Sequence, residues 1–438
     1  MSSSRTSAAL LLALLLAGGA RAADWPRFGY DAARHNVVPA GIAATDVGKL
    51  RQQRIRLDGT VDSSPIYVRG LFVVTTSYGK TIAIDAKRGK IHWRFTPPGY
   101  ASWAGSHQIT NSSPIADPSR RFVYAAAPNG RIYKLDGRTG HVIWSVAITL
   151  LPSREKLGTA LNYSRGLVLA TTGGFIGDTP PYQGHVAAID ASSGRLVHVW
   201  NALCSSRPGL IRPSSCPESG AAIWARSGAV VDPATGNLLV ATGDGHYDGK
   251  TDWGDSVLEL SPDAARLIAS YTPPNQADLD SGDVDLGSTA PALIGRFAVQ
   301  GGKDGALRLL RLPGLDLVQS LQVGSLFSAP AVSGSLLFVS TFEKTICFRL
   351  TAGRLQIVWE RPYRGTSPVV AGGLLYVYDP DSGLLRILRP GTGAVVAQLQ
   401  AGAGHWNSPI VADGMVALPE GDANAHEKSG VLNVWRLP

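Results

Sequence analysis

Several things are scarce in this chain. It has three cysteines in 438 residues, none in a Cys-x-x-Cys-His arrangement, so covalently attached haem is not expected. Its nine histidines include no His-x-x-x-His pair, the spacing that presents two imidazoles to zinc from one helical face. Charged residues make up only 17%. The Lys and Arg stand singly, with no basic block interleaved with aromatics, so the formal charge of +8 reads as solubility and not as nucleic-acid binding. Long apolar runs are also missing. The most pronounced, Ala8 to Ala17, is short for a bilayer span. It follows Arg5 and precedes the small-residue cleavage pattern Ala20-Arg21-Ala22, so residues 1–22 read as a signal peptide and residues 23–438 as a single mature domain. No later stretch approaches the ~18 apolar residues of a membrane helix. The expected product is periplasmic or secreted, without a transmembrane segment, and monomeric.

What the chain has in quantity is turns, with 50 Gly and 28 Pro, and a repeat. Ala83-Ile-Asp-Ala-Lys-Arg-Gly-Lys-Ile-His-Trp93 returns as Lys134-Leu-Asp-Gly-Arg-Thr-Gly-His-Val-Ile-Trp144 and as Ala188-Ile-Asp-Ala-Ser-Ser-Gly-Arg-Leu-Val-His-Val-Trp200. A fainter copy ends at Trp359. Each reads as strand, Gly-closed turn, and second strand carrying Trp. A second anchor precedes these copies: Ser-Pro at 64–65, 113–114, 367–368 and 408–409, and Ala-Pro at 290–291 and 329–330. Repeats of this length built from short strands imply a radial all-β array, because one unit cannot bury its own face.

Counting anchors gives eight units, beginning near Ser64, Ser113, Thr159, Ser227, Ala290, Ala329, Ser367 and Ser408. Each supplies four strands, here called A (innermost) to D, so the expectation is an eight-bladed β-propeller. Seven blades is the alternative, because the outer strands around Leu309–Gln322 look irregular. The last unit has only three strands. Residues 50–57 form an orphan strand that would complete it and close the ring without free edges. The A-to-B and C-to-D turns are short. The long insertions 96–111, 174–184, 201–222, 243–256 and 273–287 all fall in D-to-A or B-to-C connections, which share one face. That loop-rich face is the expected place for a small-molecule ligand or a protein partner. Cys204 and Cys216 bracket a Pro/Ser-rich loop and, in an exported chain, are expected to be disulfide-bonded. Cys347 reads as an apolar strand residue.

The repeats resemble those of the pyrroloquinoline-quinone (PQQ) repeat propellers. That family includes quinoprotein alcohol dehydrogenases, which use PQQ with a calcium or lanthanide ion, and non-catalytic periplasmic scaffolds of barrel assembly. By resemblance, Trp224 ahead of Val231-Asp-Pro stands where a Trp stacks on the quinone, and Asp244 in Thr242-Gly-Asp-Gly245 stands where a metal-binding Asn occurs. Asp280, in Asp280-Ser-Gly-Asp283-Val-Asp285 after Thr272-Pro, falls at the general-base place. Lys303 in Gly301-Gly-Lys-Asp-Gly305 and Thr159 are assigned to the cofactor pocket. The chain also departs from the pattern. Ile109-Thr-Asn-Ser-Ser113 stands where an adjacent Cys-Cys pair is expected, and Phe175 where a metal-binding Glu is expected. Two readings follow: PQQ-dependent alcohol oxidation with Ca²⁺ or another divalent or lanthanide ion, or a non-catalytic scaffold for a protein partner.

Overall fold

The computed structural model describes residues 24–438; the signal-peptide expectation for residues 1–22 lies outside them. The described chain forms eight antiparallel sheets in a ring. Blade 1 shows the plan, with A Ile66–Val68, B Leu71–Thr75, C Thr81–Asp85 and D Lys90–Phe95. Strand A is wholly buried, whereas D alternates, with Trp93 and Phe95 inward and His92 and Arg94 in water. This alternation marks a half-buried edge. The repeated Trp and Gly explain each other across blades. Trp93 donates its indole N–H to Gly137 O (3.0 Å) and Trp359 to Pro390 O (2.7 Å), each in the C-to-D turn of the next blade. A Cβ on Gly140 would fall 2.6 Å from Trp93, and one on Gly393 would fall 2.9 Å from Trp359. With φ of +74° and +68°, these turns need glycine for both backbone and space.

The ring has eight blades, and blade 5 is regular, with C Ala306–Arg311 and D Asp316–Gln322. The irregularity seen in its sequence is a bulge between Leu309 and Leu310, and blades 1–4, 6 and 7 carry a bulge at the same C–D pairing. The ring closes as expected. Arg51–Leu57 pairs antiparallel with Gly430–Arg436, from Arg51↔Arg436 to Leu57↔Gly430.

What fills the other end of the channel has no counterpart in the repeat pattern. Residues 24–38 run as a strap past the inner strands. Trp25 exchanges two hydrogen bonds with Tyr67 of blade 1 (2.8 Å each). The carbonyls of Pro26, Ala32, His35 and Asn36 accept from Ala116, Val231, Val332 and Val370 in blades 2, 4, 6 and 7. Val37–Val38 adds a parallel strand to blade 7. Asp24 accepts from Arg69 N and the Arg120 guanidinium, in A-to-B turns, so the strap lies on the face opposite the long insertions. Trp25 and Phe28 are each 1% exposed. Among the described residues no helix is long and apolar enough to cross a membrane.

Candidate functional site

A cavity of about 670 Å³ opens at the other end. Its lining comes from D-to-A connections (Lys156, Trp224, Arg226, Asp280, Asp285, Phe327, Trp406) and B-to-C connections (Phe175, Asp178, Asp244, Lys303). This is the face singled out by the insertion pattern. Cys204 and Cys216 are disulfide-bonded in the 201–222 insertion, and Cys347 is buried.

The centre of the site is Asp285, 7% exposed. Its Oδ1 accepts from Asp244 N (3.0 Å) and lies 3.4 Å from the Trp224 indole N–H; its Oδ2 lies 2.5 Å from Lys303 Nζ. Lys303 also pairs with Asp283 Oδ1 at 2.5 Å. Carboxylate oxygens of Asp244, Asp283 and Asp285 lie within 4.8 Å of one another. Gly243 permits this crowding, because a Cβ there would fall 1.8 Å from Asp285 Oδ1. Burial, then the charges of Asp285 and Asp255, push Asp244 up to about 9, so it holds its proton at neutral pH. Its Oδ1 is buried without a partner. Burial and Asp285 likewise push Asp255 up to about 7, against the hydrogen bond from Leu286 N. Burial alone would lower Lys303; hydrogen bonds from its ammonium to Asp283 and Asp285 raise it above the ordinary range instead.

An aromatic row borders this cluster. Phe327 lies 6.2 Å from Trp224 and is stacked at 5.8 Å on Trp406, which meets His405 at 4.5 Å. His405 Nδ1 pairs with the fully buried Asp62 (2.7 Å) and with Asp422 (3.2 Å). Asp62 also accepts from Asn111 Nδ2 and Trp406 N, tying blade 8 to blades 1 and 2.

Trp224, Asp244, Asp280 and Lys303 thus all reach one cavity, with three adjustments. Lys303 is clamped between two carboxylates, its ammonium 5.9 Å from the Trp224 ring centroid. Asp280 is exposed, on the short helix Gln276–Ser281. Gly282 ends that helix and Asp283 adopts φ +52°; beyond this reversal Asp285 takes the buried central place. Thr159 does not line the cavity. It is 2% exposed and its hydroxyl pairs with Thr171 at 2.8 Å, while neighbouring Gly158 forms the wall. The sequence reading missed Phe327, His405, Trp406, Lys156 and Arg226 as lining residues. A signal for the aromatics existed: Trp224, Phe327 and Trp406 each stand two or three residues before an inner-strand anchor.

The residues fit a divalent cation, since three carboxylates converge around one unpartnered buried oxygen and oxygen-rich sites suit hard ions. They also fit a planar polar ring, with the half-buried Trp224 as its apolar face.

An eight-bladed ring strapped at one end, with an acidic, aromatic-lined pocket at the other, defines a β-propeller open at one end. Residues 38–210 and 293–423 match the PQQ_2 family model, described as outer membrane protein assembly factor BamB, and the chain belongs to this family of PQQ-repeat propellers. It is 24% identical over 307 residues to the dehydrogenase subunit of an alcohol dehydrogenase (quinone) from Gluconobacter oxydans, a match covering 60% of this chain and 39% of that one. The chain spans about two fifths or less of the first curated relatives it matches. Among solved structures, the quinohemoprotein alcohol dehydrogenase of Comamonas testosteroni superposes with a TM-score of 0.73 at 16% identity, over 95% of this chain and 81% of that one. BamB from Moraxella catarrhalis superposes with 0.61 at 16% identity, over 88% and 97%. These likenesses show the fold.

Proposed function

We propose that this protein is an exported propeller with a quinoprotein-dehydrogenase-like pocket, binding PQQ or a planar polar ligand of that kind at its open end. The carrying observation is the carboxylate cluster beside Trp224, which includes the unpartnered buried oxygen of Asp244. Trp224 would offer the ring face. Asp244 and Asp285 would hold a Ca²⁺ or other divalent or lanthanide ion, which would draw Asp244 back to its ionised form. Asp283 and Asp285 are engaged by Lys303, so Asp280 at the rim is the carboxylate free to accept an alcohol proton. PQQ, when bound, supplies hydride acceptance.

The test is titration of PQQ with Ca²⁺ into the purified protein, followed by absorption and melting temperature. Ligand at 100 times its Kd stabilises by about 2.7 kcal/mol; no spectral change and no melting shift would sink the reading. A second reading, a non-catalytic scaffold, draws support from the family model's description and from Ile176, apolar and 72% exposed at the cavity rim. Under it the pocket binds no quinone, and Ile176→Asp weakens a partner while leaving the fold intact.

A further inference from the structure

A second part of the same cavity carries positive charge with no counter-charge bonded to it. Lys156 is pinned by its backbone, which exchanges hydrogen bonds with Gly173 (2.6 and 3.0 Å). Its side chain lines the cavity and makes no hydrogen bond or ion pair among the described residues. Its Cε runs past Gly158, 3.4 Å from where a Cβ there would stand. Gly158 O in turn accepts from Arg226 Nη1 at 3.2 Å, which makes the two cations neighbours. Arg226 is 4% exposed and lines the cavity too. Its other partners are the carbonyls of Asn111 (3.0 Å) and Asp62 (3.3 Å), all neutral, and its Nε is buried with no partner.

Nearby carboxylates do not bond to this pair. Glu155, next in the chain, is 2% exposed and turned onto Thr149 and Gln183 N, and burial pushes it up to about 7. Asp62 is engaged by Asn111, His405 and Trp406 N. A buried cation bonded only to carbonyls is costly unless a partner arrives.

We infer that Lys156 and Arg226 form an anion subsite that takes a carboxylate of the cavity's ligand, so that this ligand is a planar carboxylic acid. The inference rests on reading the cavity as a ligand site and adds the class of the ligand. The charge state agrees: burial lowers Lys156 to about 8, with Arg226 adding to that and with Asp62, Asp422 and Asp178 opposing it. A bound carboxylate supplies the missing counter-charge and fixes the ammonium form.

Trimesate, a planar aromatic tricarboxylate, is the probe, with its neutral triamide as control. Binding is read by calorimetry and by quenching of tryptophan fluorescence. Trimesate should bind and the triamide should not. Lys156→Met should weaken trimesate at least ~10-fold, while Lys156→Arg stays within ~3-fold of the parent. Affinity in the parent should fall as pH rises through about 8, and Lys156→Arg should lack that break. Equal binding of trimesate by Lys156→Met, equal binding of the triamide, or no trimesate binding at all would each overturn the subsite. Circular dichroism checks that the Met variant is folded, and the Arg variant carries the pH test if it is not. PQQ with Ca²⁺, titrated in parallel, separates the two readings. PQQ bound equally by Lys156→Met overturns the subsite and keeps the cofactor. Lys156-dependent trimesate binding without PQQ binding keeps the subsite and removes the cofactor.

Discussion

Both ends of the channel bury arginine, yet the two ends treat charge differently. At the strapped end Arg34, 3% exposed, gives its Nε and both Nη groups to the carbonyls of Ser227, Phe28, Ala160 and Leu161. At the open end Arg226 leaves Nε unused. Orphaned donors do not by themselves separate the ends, since Trp25 Nε1 and Arg27 Nε also lack partners. The carboxylates do, apart from Asp283, which its hydrogen bond with Lys303 holds below the ordinary range. Burial alone would raise Asp31 of the strap, but hydrogen bonds and charge from His35 bring it below its ordinary range. Asp178, Asp244 and Asp255 at the open end are all raised, with burial the largest cause. At the strapped end the carboxylate of Asp31 and the imidazole of His35 satisfy each other. The open end holds charges in forms that a ligand would change, as a binding site does.

The largest effect should come from breaking the strapped end. Trp25 is fully buried against Tyr30 and the core of blades 1, 7 and 8. Trp25→Ala should cost about 3–5 kcal/mol in urea denaturation. If the two ends are independent, affinity for any cavity ligand should change less than ~3-fold in the folded variant. A large loss of affinity would show that the strap shapes the cavity.

The next effect belongs to the open end, whose 201–222 insertion is held by a crosslink where the strap is held by packing. Replacing Cys204 and Cys216 by Ser opens a loop of sequence separation 12 and should cost roughly 3 kcal/mol. Limited proteolysis should then cut first within 205–215. Cleavage elsewhere first would mean that the insertion is ordered by its own contacts.

The regular part of the fold was legible because it is periodic. The Asp-turn-Gly-strand-Trp copies place a Trp of one blade on the Gly turn of the next, so one local pattern reports a contact between blades. The closing strand followed from counting, because a three-stranded last blade needs residues 51–57. The strap was not legible. Trp25 to Asn36 has neither strand alternation nor repeat, since its backbone pairs with five different blades in turn and each contact is set by the ring. At the site, a residue type in a loop gave the face but not the depth. Asp280, Asp283 and Asp285 stand within six residues, and which one is central was decided by a helix cap and a left-handed residue. Lys156 and Arg226 carried no signal because their meaning lies in what they lack, which only the packed structure reveals.

The smallest effect is also the sharpest, because one kind of substitution should act with opposite sign at the two ends. Asp31 titrates lower in the folded protein than in the unfolded chain. Its contribution is therefore present above the unfolded value, near 4, and is lost as pH falls through the folded one. Asp31→Asn should lower the melting temperature at pH 7 and converge on the parent in acid. Asp244 titrates higher when folded, at about 9. The native state binds its proton more tightly, so stability declines as pH rises from near 4 toward 9. Asp244→Asn removes that decline. With no added metal, the variant should melt above the parent at pH 8, and the gap should close near pH 4. Asp244 is partly exposed, so the effect is discounted for solvent screening to roughly 1 kcal/mol, or about 2 °C. Adding Ca²⁺ should reverse the order at pH 8, because only the parent keeps the carboxylate that the ion would recruit. If Asp244→Asn melts below the parent at pH 8 without metal, the carboxylates at the open end are already at rest and the contrast between the two ends fails.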